Sequence, residues 1–122
     1  MGRKILVTDD SPTILEILKS VLVEEGYEVI AAADGQQALD LARAENPDLI
    51  ILDLMLPKID GYKVCRMLKF DEKFKNIPII MLTARAKDDD EKLGKEVGAD
   101  AYLRKPFQPE EVIDQIKKLL NP

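Results

Sequence analysis

The chain has 122 residues, 46% of them hydrophobic and 34% charged, with a formal net charge of -5. That length suits one domain with its own core, and that balance excludes disorder throughout. The acidic excess argues against nucleic-acid binding by a basic surface.

Lys4 to Thr8, carrying Ile5, Leu6 and Val7, reads as a first strand. Ser11-Pro12 opens a first helix, because proline suits the first helical position. Ile14, Leu15, Leu18, Val21 and Leu22 recur at helical spacing, and Gly26 ends the helix as a C-cap. Tyr27 to Ala32 is a second strand. Asp34-Gly35 turns into a second helix with Ala38, Leu39 and Ala42 inward, and Asn46-Pro47 stops it. Leu49-Ile50-Ile51-Leu52 is a third strand, and its unbroken apolar run implies burial on both faces. Leu54 to Asp60 is a loop carrying Pro57; a third helix follows Gly61 to near Phe70, with Val64, Met67 and Leu68 inward. Pro78 precedes a fourth strand, Ile79-Ile80-Met81-Leu82. Lys87 to Val97 is a fourth helix, its acids Asp88 to Glu91 favoured by the helix dipole. Ala101-Tyr102-Leu103 is a fifth strand, and Pro109 opens a fifth helix with Val112, Ile113, Ile116, Leu119 and Leu120 inward.

Alternating strands and helices imply an α/β fold: a five-stranded parallel sheet with helices on both faces, one domain over residues 1–122. No apolar run approaches the roughly 18 residues of a membrane span. Met1 to Lys4 leads into Ile5 without a small-residue cleavage site, so no secretory leader is expected. The lone cysteine, Cys65, cannot form an internal disulfide and fits a reducing, cytoplasmic setting. The chain has no histidine, which removes Ser-His-Asp and Cys-His catalysis and most zinc sites.

Parallel sheets of this kind bind ligands at the carboxyl ends of their strands. There the first strand delivers Asp9-Asp10, the third Asp53, the fourth Thr83 and the fifth Lys105. Three carboxylates at one edge repel one another unless a cation joins them. Mg2+ takes oxygen ligands, commonly one or two carboxylates with waters and a phosphate. Lys105 and the Thr83 hydroxyl suit the same phosphate. Asp53, on the central strand and flanked by the other acids, is the candidate nucleophile, since an aspartate carboxylate can attack phosphorus. Taken singly, each residue has a plainer reading. Asp9-Asp10 before Ser11-Pro12 suits a helix cap, Thr83 a turn, Lys105 a solvated charge and Tyr102 a half-buried strand aromatic. Their joint placement at one edge carries the functional reading.

Asp9-Asp10, Leu52-Asp53-Leu54-Met55-Leu56-Pro57, Asp60-Gly61, Leu82-Thr83-Ala84, Gly98-Ala99-Asp100 and Lys105-Pro106-Phe107 form an ordered set over the whole chain. In that set the chain resembles the receiver domain of two-component response regulators. The resemblance implies the flavodoxin-like strand order 2-1-3-4-5. It implies that Asp53 accepts a phosphoryl group from a phosphohistidine on a sensor histidine kinase or a histidine phosphotransfer protein. It implies Mg2+ on Asp10, Asp53 and the backbone carbonyl of Met55, with Asp9 acting largely through water. Thr83 and Lys105 would contact the phosphoryl oxygens, and Lys105-Pro106 would be a cis peptide. Thr83 and Tyr102 would switch together and reshape the face of the fourth helix, fifth strand and fifth helix. That face would address a target protein or an effector domain, in a stand-alone receiver or in the N-terminal piece of a longer regulator. Met55 and Arg85 stand where the family tunes the life of the phosphorylated state.

Four departures bear on assembly. Glu91 and Glu111 are both acidic where the family's winged-helix branch pairs base with acid, Ala101 replaces an acid, and Gln115 replaces a base. A monomer is therefore expected rather than a constitutive dimer, with no direct nucleic-acid or membrane contact. Three rivals remain. Asp9-Asp10 would repel the phosphate of FMN, against a flavodoxin-type binder. Met55 stands where a haloacid-dehalogenase-type phosphatase needs a second acid. A pseudo-receiver would lack some of the acids, Thr83 or Lys105, and all are present.

Overall fold

All five residues of Leu49–Asp53 and of Ile79–Thr83 are buried, as strands covered on both faces must be. The computed structural model describes residues 3–83 and 98–121. In chain order these hold β1 (Lys4–Thr8), α1 (Pro12–Glu24), β2 (Glu28–Ala32), α2 (Gly35–Glu45), β3 (Leu49–Asp53), α3 (Gly61–Lys69), β4 (Ile79–Thr83), β5 (Ala101–Arg104) and α4 (Pro109–Leu120). The fourth helix expected over Lys87–Val97, with Ala84, Arg85 and Glu91, lies outside the described residues, so α4 is the fifth helical segment of the sequence.

The strands form one parallel sheet in the order β2-β1-β3-β4-β5. Alternation along each strand divides the core in two. Leu6, Ile50, Leu52, Ile79 and Met81 face α2 and α3, whose Ala38, Leu39, Val64, Cys65 and Leu68 pack against them. Ile5, Val7, Leu49, Ile51, Ile80, Leu82 and Leu103 face α1 and α4 with Leu18, Leu22, Val112 and Ile116. Among the described residues, helices pack on both faces and the rims of the sheet stay open.

The helix ends follow local chemistry. The Ser11, Asp34 and Asp60 side chains accept bonds from the Ile14, Gln37 and Lys63 amides and cap α1, α2 and α3. After α1, Gly26 takes a φ of 94°, the Gly26 amide donates to the Val23 carbonyl at 3.0 Å and the Tyr27 amide to the Leu22 carbonyl at 3.0 Å. This turn commits the Tyr27 amide, so β2 starts one residue later than the sequence suggests. Met67 also differs from expectation and is 44% exposed. The buried stripe of α3 runs through Gly61, Val64, Cys65 and Leu68. At 100° per residue Met67 lies roughly 120° around the helix from its centre.

Candidate functional site

The strand ends at one rim converge on four charged side chains. Asp9 follows β1 directly and is fully buried, its amide bonded to the Ala32 carbonyl at 3.1 Å. Its Oδ1 accepts the Ser11 amide at 2.9 Å, so the turn into α1 fixes that carboxylate. Asp10 beside it is exposed. Asp53 closes β3, is 4% exposed, and accepts the Met55 amide on Oδ1 at 3.2 Å. Lys105 follows β5 and points its ammonium between the two buried acids, 3.0 Å from Asp9 Oδ2 and 3.2 Å from Asp53 Oδ2.

Strand parity explains the convergence. Asp9, Asp53 and Lys105 continue the alternation that turns Val7, Ile51 and Leu103 toward α1 and α4. Thr83 and Tyr102 belong to the other alternation, with Met81 and Leu52. Thr83 is buried and its carbonyl accepts the Lys105 amide at 2.6 Å. Tyr102 is half-buried, opposite Met81, and packs on the core beneath α3. Met55 is 59% exposed at the mouth of the site. The Lys105–Pro106 peptide is cis.

One ligand atom from each of Asp9, Asp10 and Asp53 lies within 4.8 Å of the others. Oxygen donors in that number, two buried and one open to solvent, suit a hard divalent cation. Burial and the Asp9 charge raise the Asp53 carboxyl above its ordinary value, against the opposing pull of Lys105. Burial alone would lower the Lys105 ammonium, but its hydrogen bond to Asp9 and the charges of both acids outweigh burial and raise it. Lys105 therefore stays charged and acts as the internal counterion of the acids.

The sequence places Asp9, Asp10, Asp53 and Lys105 correctly at one rim but does not reveal that the lysine bridges two of the acids. It also misses why residue 61 is glycine. A Cβ there would collide with the Asp53 carbonyl and lie 2.9 Å from Leu54 Cα. The start of α3 thus rests on the backbone of Asp53, and the Gly61 amide donates to the Leu54 carbonyl at 2.9 Å. Asp60-Gly61 just before an amphipathic run was the available signal.

A family model for the response regulator receiver domain matches residues 5–117. The chain is 48% identical over 121 residues to the alkaline phosphatase synthesis transcriptional regulatory protein PhoP of Bacillus subtilis, covering 99% of this chain and 50% of that protein. It is 45% identical over 121 residues to the DNA-binding response regulator MtrA of Mycolicibacterium smegmatis, covering 99% of this chain and 52% of that protein. The chain thus spans about half the length of these curated relatives. Among solved structures, the chemotaxis response regulator CheY4 of Vibrio cholerae superposes with a TM-score of 0.92 at 35% identity, covering 98% of this chain and all (100%) of that one. The receiver domain of a sensor histidine kinase from Pseudomonas aeruginosa, which has a magnesium ion coordinated in its active-site cleft, superposes with a TM-score of 0.91 at 33% identity, with 100% of both chains covered. With the sheet order, the acidic rim and this similarity in agreement, the chain belongs to the response regulator receiver domain family and is a signalling module of phosphorelay systems.

Proposed function

We propose that residues 1–122 act as a single receiver unit that takes a phosphoryl group onto Asp53 from the phosphohistidine of a sensor histidine kinase or a histidine phosphotransfer protein. A carboxylate oxygen of Asp53 forms the new P–O bond as the donor's P–N bond breaks, and the donor imidazole leaves with its electron pair and takes up a proton. Asp10, Asp53 and the Met55 backbone carbonyl would hold Mg2+, with Asp9 in support through water. A cation held there would supply neutralisation of charge on the phosphoryl oxygens. Lys105 gives one of those oxygens a second cationic partner, and Thr83 donates a hydrogen bond to another. The observation that carries this reading is the Lys105 ammonium, held within 3.2 Å of both Asp9 and Asp53 beside the open Asp10.

A phosphoryl group adds about -1.5 to -2 of charge at one point. In this reading Lys105 and Thr83 turn to that charge and Tyr102 follows. The surface of β5 and α4 then presents a new shape to a target protein or effector domain. The unphosphorylated chain is a cytoplasmic monomer that leaves nucleic acid and membrane to other partners. Among the described residues no helix is long and apolar enough to cross a membrane.

Intact mass after incubation with acetyl phosphate and Mg2+ tests the reading. One added phosphoryl group is expected, removed by hydroxylamine and absent from Asp53→Asn. An adduct that persists in Asp53→Asn overturns the assignment of the acceptor.

A further inference from the structure

The loop of residues 54–60 joins β3 to α3 and carries Met55. At its near end the Leu54 amide donates to the Leu82 carbonyl at 3.0 Å, and the Gly61 amide returns to the Leu54 carbonyl at 2.9 Å. Its far end is held by a different part of the fold. The Pro57 carbonyl accepts the Gly35 amide at 3.2 Å and the Ile59 amide at 2.8 Å. The second of these bonds closes a three-residue turn centred on Lys58, whose φ is 67°. The Lys58 ammonium lies 3.6 Å from Asp34 Oδ2. A Cβ on Gly35 would fall on the Ile59 carbonyl. Asp34 and Gly35, the cap and first residue of α2, therefore form a seat on which Pro57 to Ile59 rest, backbone on backbone.

Met55 lies between the two anchors. Its amide donates to Asp53 Oδ1 at 3.2 Å, which keys this stretch of loop to the acceptor carboxylate. A chain held at one end still has two soft torsions per residue, whereas a short span held at both ends has its peptide planes set. We propose that Asp34, Gly35 and Lys58 are positioning residues for the cation site: they seat the loop so that the Met55 carbonyl stands beside Asp53 as a ligand. The proposal rests on the Mg2+ reading given above. None of the three residues belongs to the acidic cluster; they act through the backbone of Pro57 and Ile59. Asp34 serves both structures at once, since its Oδ1 accepts the Gln37 amide at 2.8 Å and caps α2 while its Oδ2 faces Lys58.

The test is the Mg2+ dissociation constant of the unphosphorylated chain, measured by titration calorimetry. Loss of binding in Asp10→Asn is expected and upholds the cation site; unchanged binding there removes that site and the role of the seat with it. Lys58→Val takes away the ammonium and disfavours the left-handed backbone. It is expected to weaken Mg2+ binding at least three-fold, and any smaller change overturns the proposal. Lys58→Asn, which tolerates that backbone, should recover part of the loss. Gly35→Ala should weaken binding more than Lys58→Val wherever it folds. Ala44→Gly loosens α2 away from the loop and is expected to bind Mg2+ as the parent chain does. A loss there equal to that of Lys58→Val would mean simple destabilisation and would overturn the seat as a positioning device.

Discussion

The Lys105 ammonium lies 3.2 Å from Asp53 Oδ2, and its other near neighbour, Asp9 Oδ2, is 3.0 Å away. One cation thus serves two buried carboxylates, and with the exposed Asp10 beside them the charged side chains at this rim leave two negative charges unbalanced. Burial, with the Asp9 charge, raises the Asp53 carboxyl. A carboxyl raised by folding holds its proton more tightly in the folded chain than in the unfolded one. Its ionisation therefore costs stability, a cost absent below the ordinary aspartate range near about 3.9 and incurred as pH rises through the raised value. Without metal, Asp53→Asn is expected to unfold at higher urea than the parent at pH 7, and the advantage should fade in acid below that range. Urea midpoints at the two pH values check this, and equal midpoints at pH 7 contradict it.

Lys105→Met leaves both acids without their counterion. Breaking a buried charge pair costs about 3 kcal/mol. Added Mg2+ should restore more stability to this variant than to the parent, because a cation binding only the folded chain stabilises it by mass action. Melting temperatures in EDTA and in excess Mg2+ provide the comparison. An equal gain in both chains would mean that lysine and metal do not share the same acids.

Lys69 works at the opposite rim. Its ammonium lies 2.7 Å from Asp100 Oδ2 and donates to the Ile77 carbonyl at 2.8 Å and the Lys75 carbonyl at 3.2 Å. Asp100 in turn accepts the Ile79 amide at 2.8 Å. Lys69→Met is expected to cost about 2 kcal/mol in urea unfolding, the scale of lost bonds to a charged group. Its Mg2+ dissociation constant should stay that of the parent. A shift there would couple the two rims.

Burial pushes the Cys65 thiol up to about 12. The thiolate is the reacting form, so the folded chain offers almost none at pH 8. A chromogenic aromatic disulfide should titrate one thiol per chain only after unfolding. Rapid reaction of the folded chain would place Cys65 nearer solvent than the core of α3.

The strands were legible because burial on both faces leaves little choice of residue: Leu49 to Leu52 and Ile79 to Leu82 are unbroken apolar runs. The acids and the lysine were legible because charges directly after such runs are costly without a purpose. Their mutual bonding was not, since Lys105 and Asp9 stand 96 positions apart and only folding sets their distance. Met67 was misplaced because an apolar side chain on an amphipathic helix does not declare its own angle. The role of Gly35 was hidden because Asp34-Gly35 reads equally as an ordinary turn and as a seat for a distant loop.

Gly61 leaves the first turn of α3 resting on the main chain of Asp53 with no side chain between them. A side chain can swing aside and absorb a displacement, whereas two backbones in contact pass it on. α3 has 9 residues, so it reaches about 14 Å at 1.5 Å per residue. Its far end is clamped by Lys69 to Asp100, just ahead of β5. The helix thus runs as one span of hydrogen-bonded backbone from the main chain of Asp53 at one rim to the root of the strand that bears Tyr102 at the other.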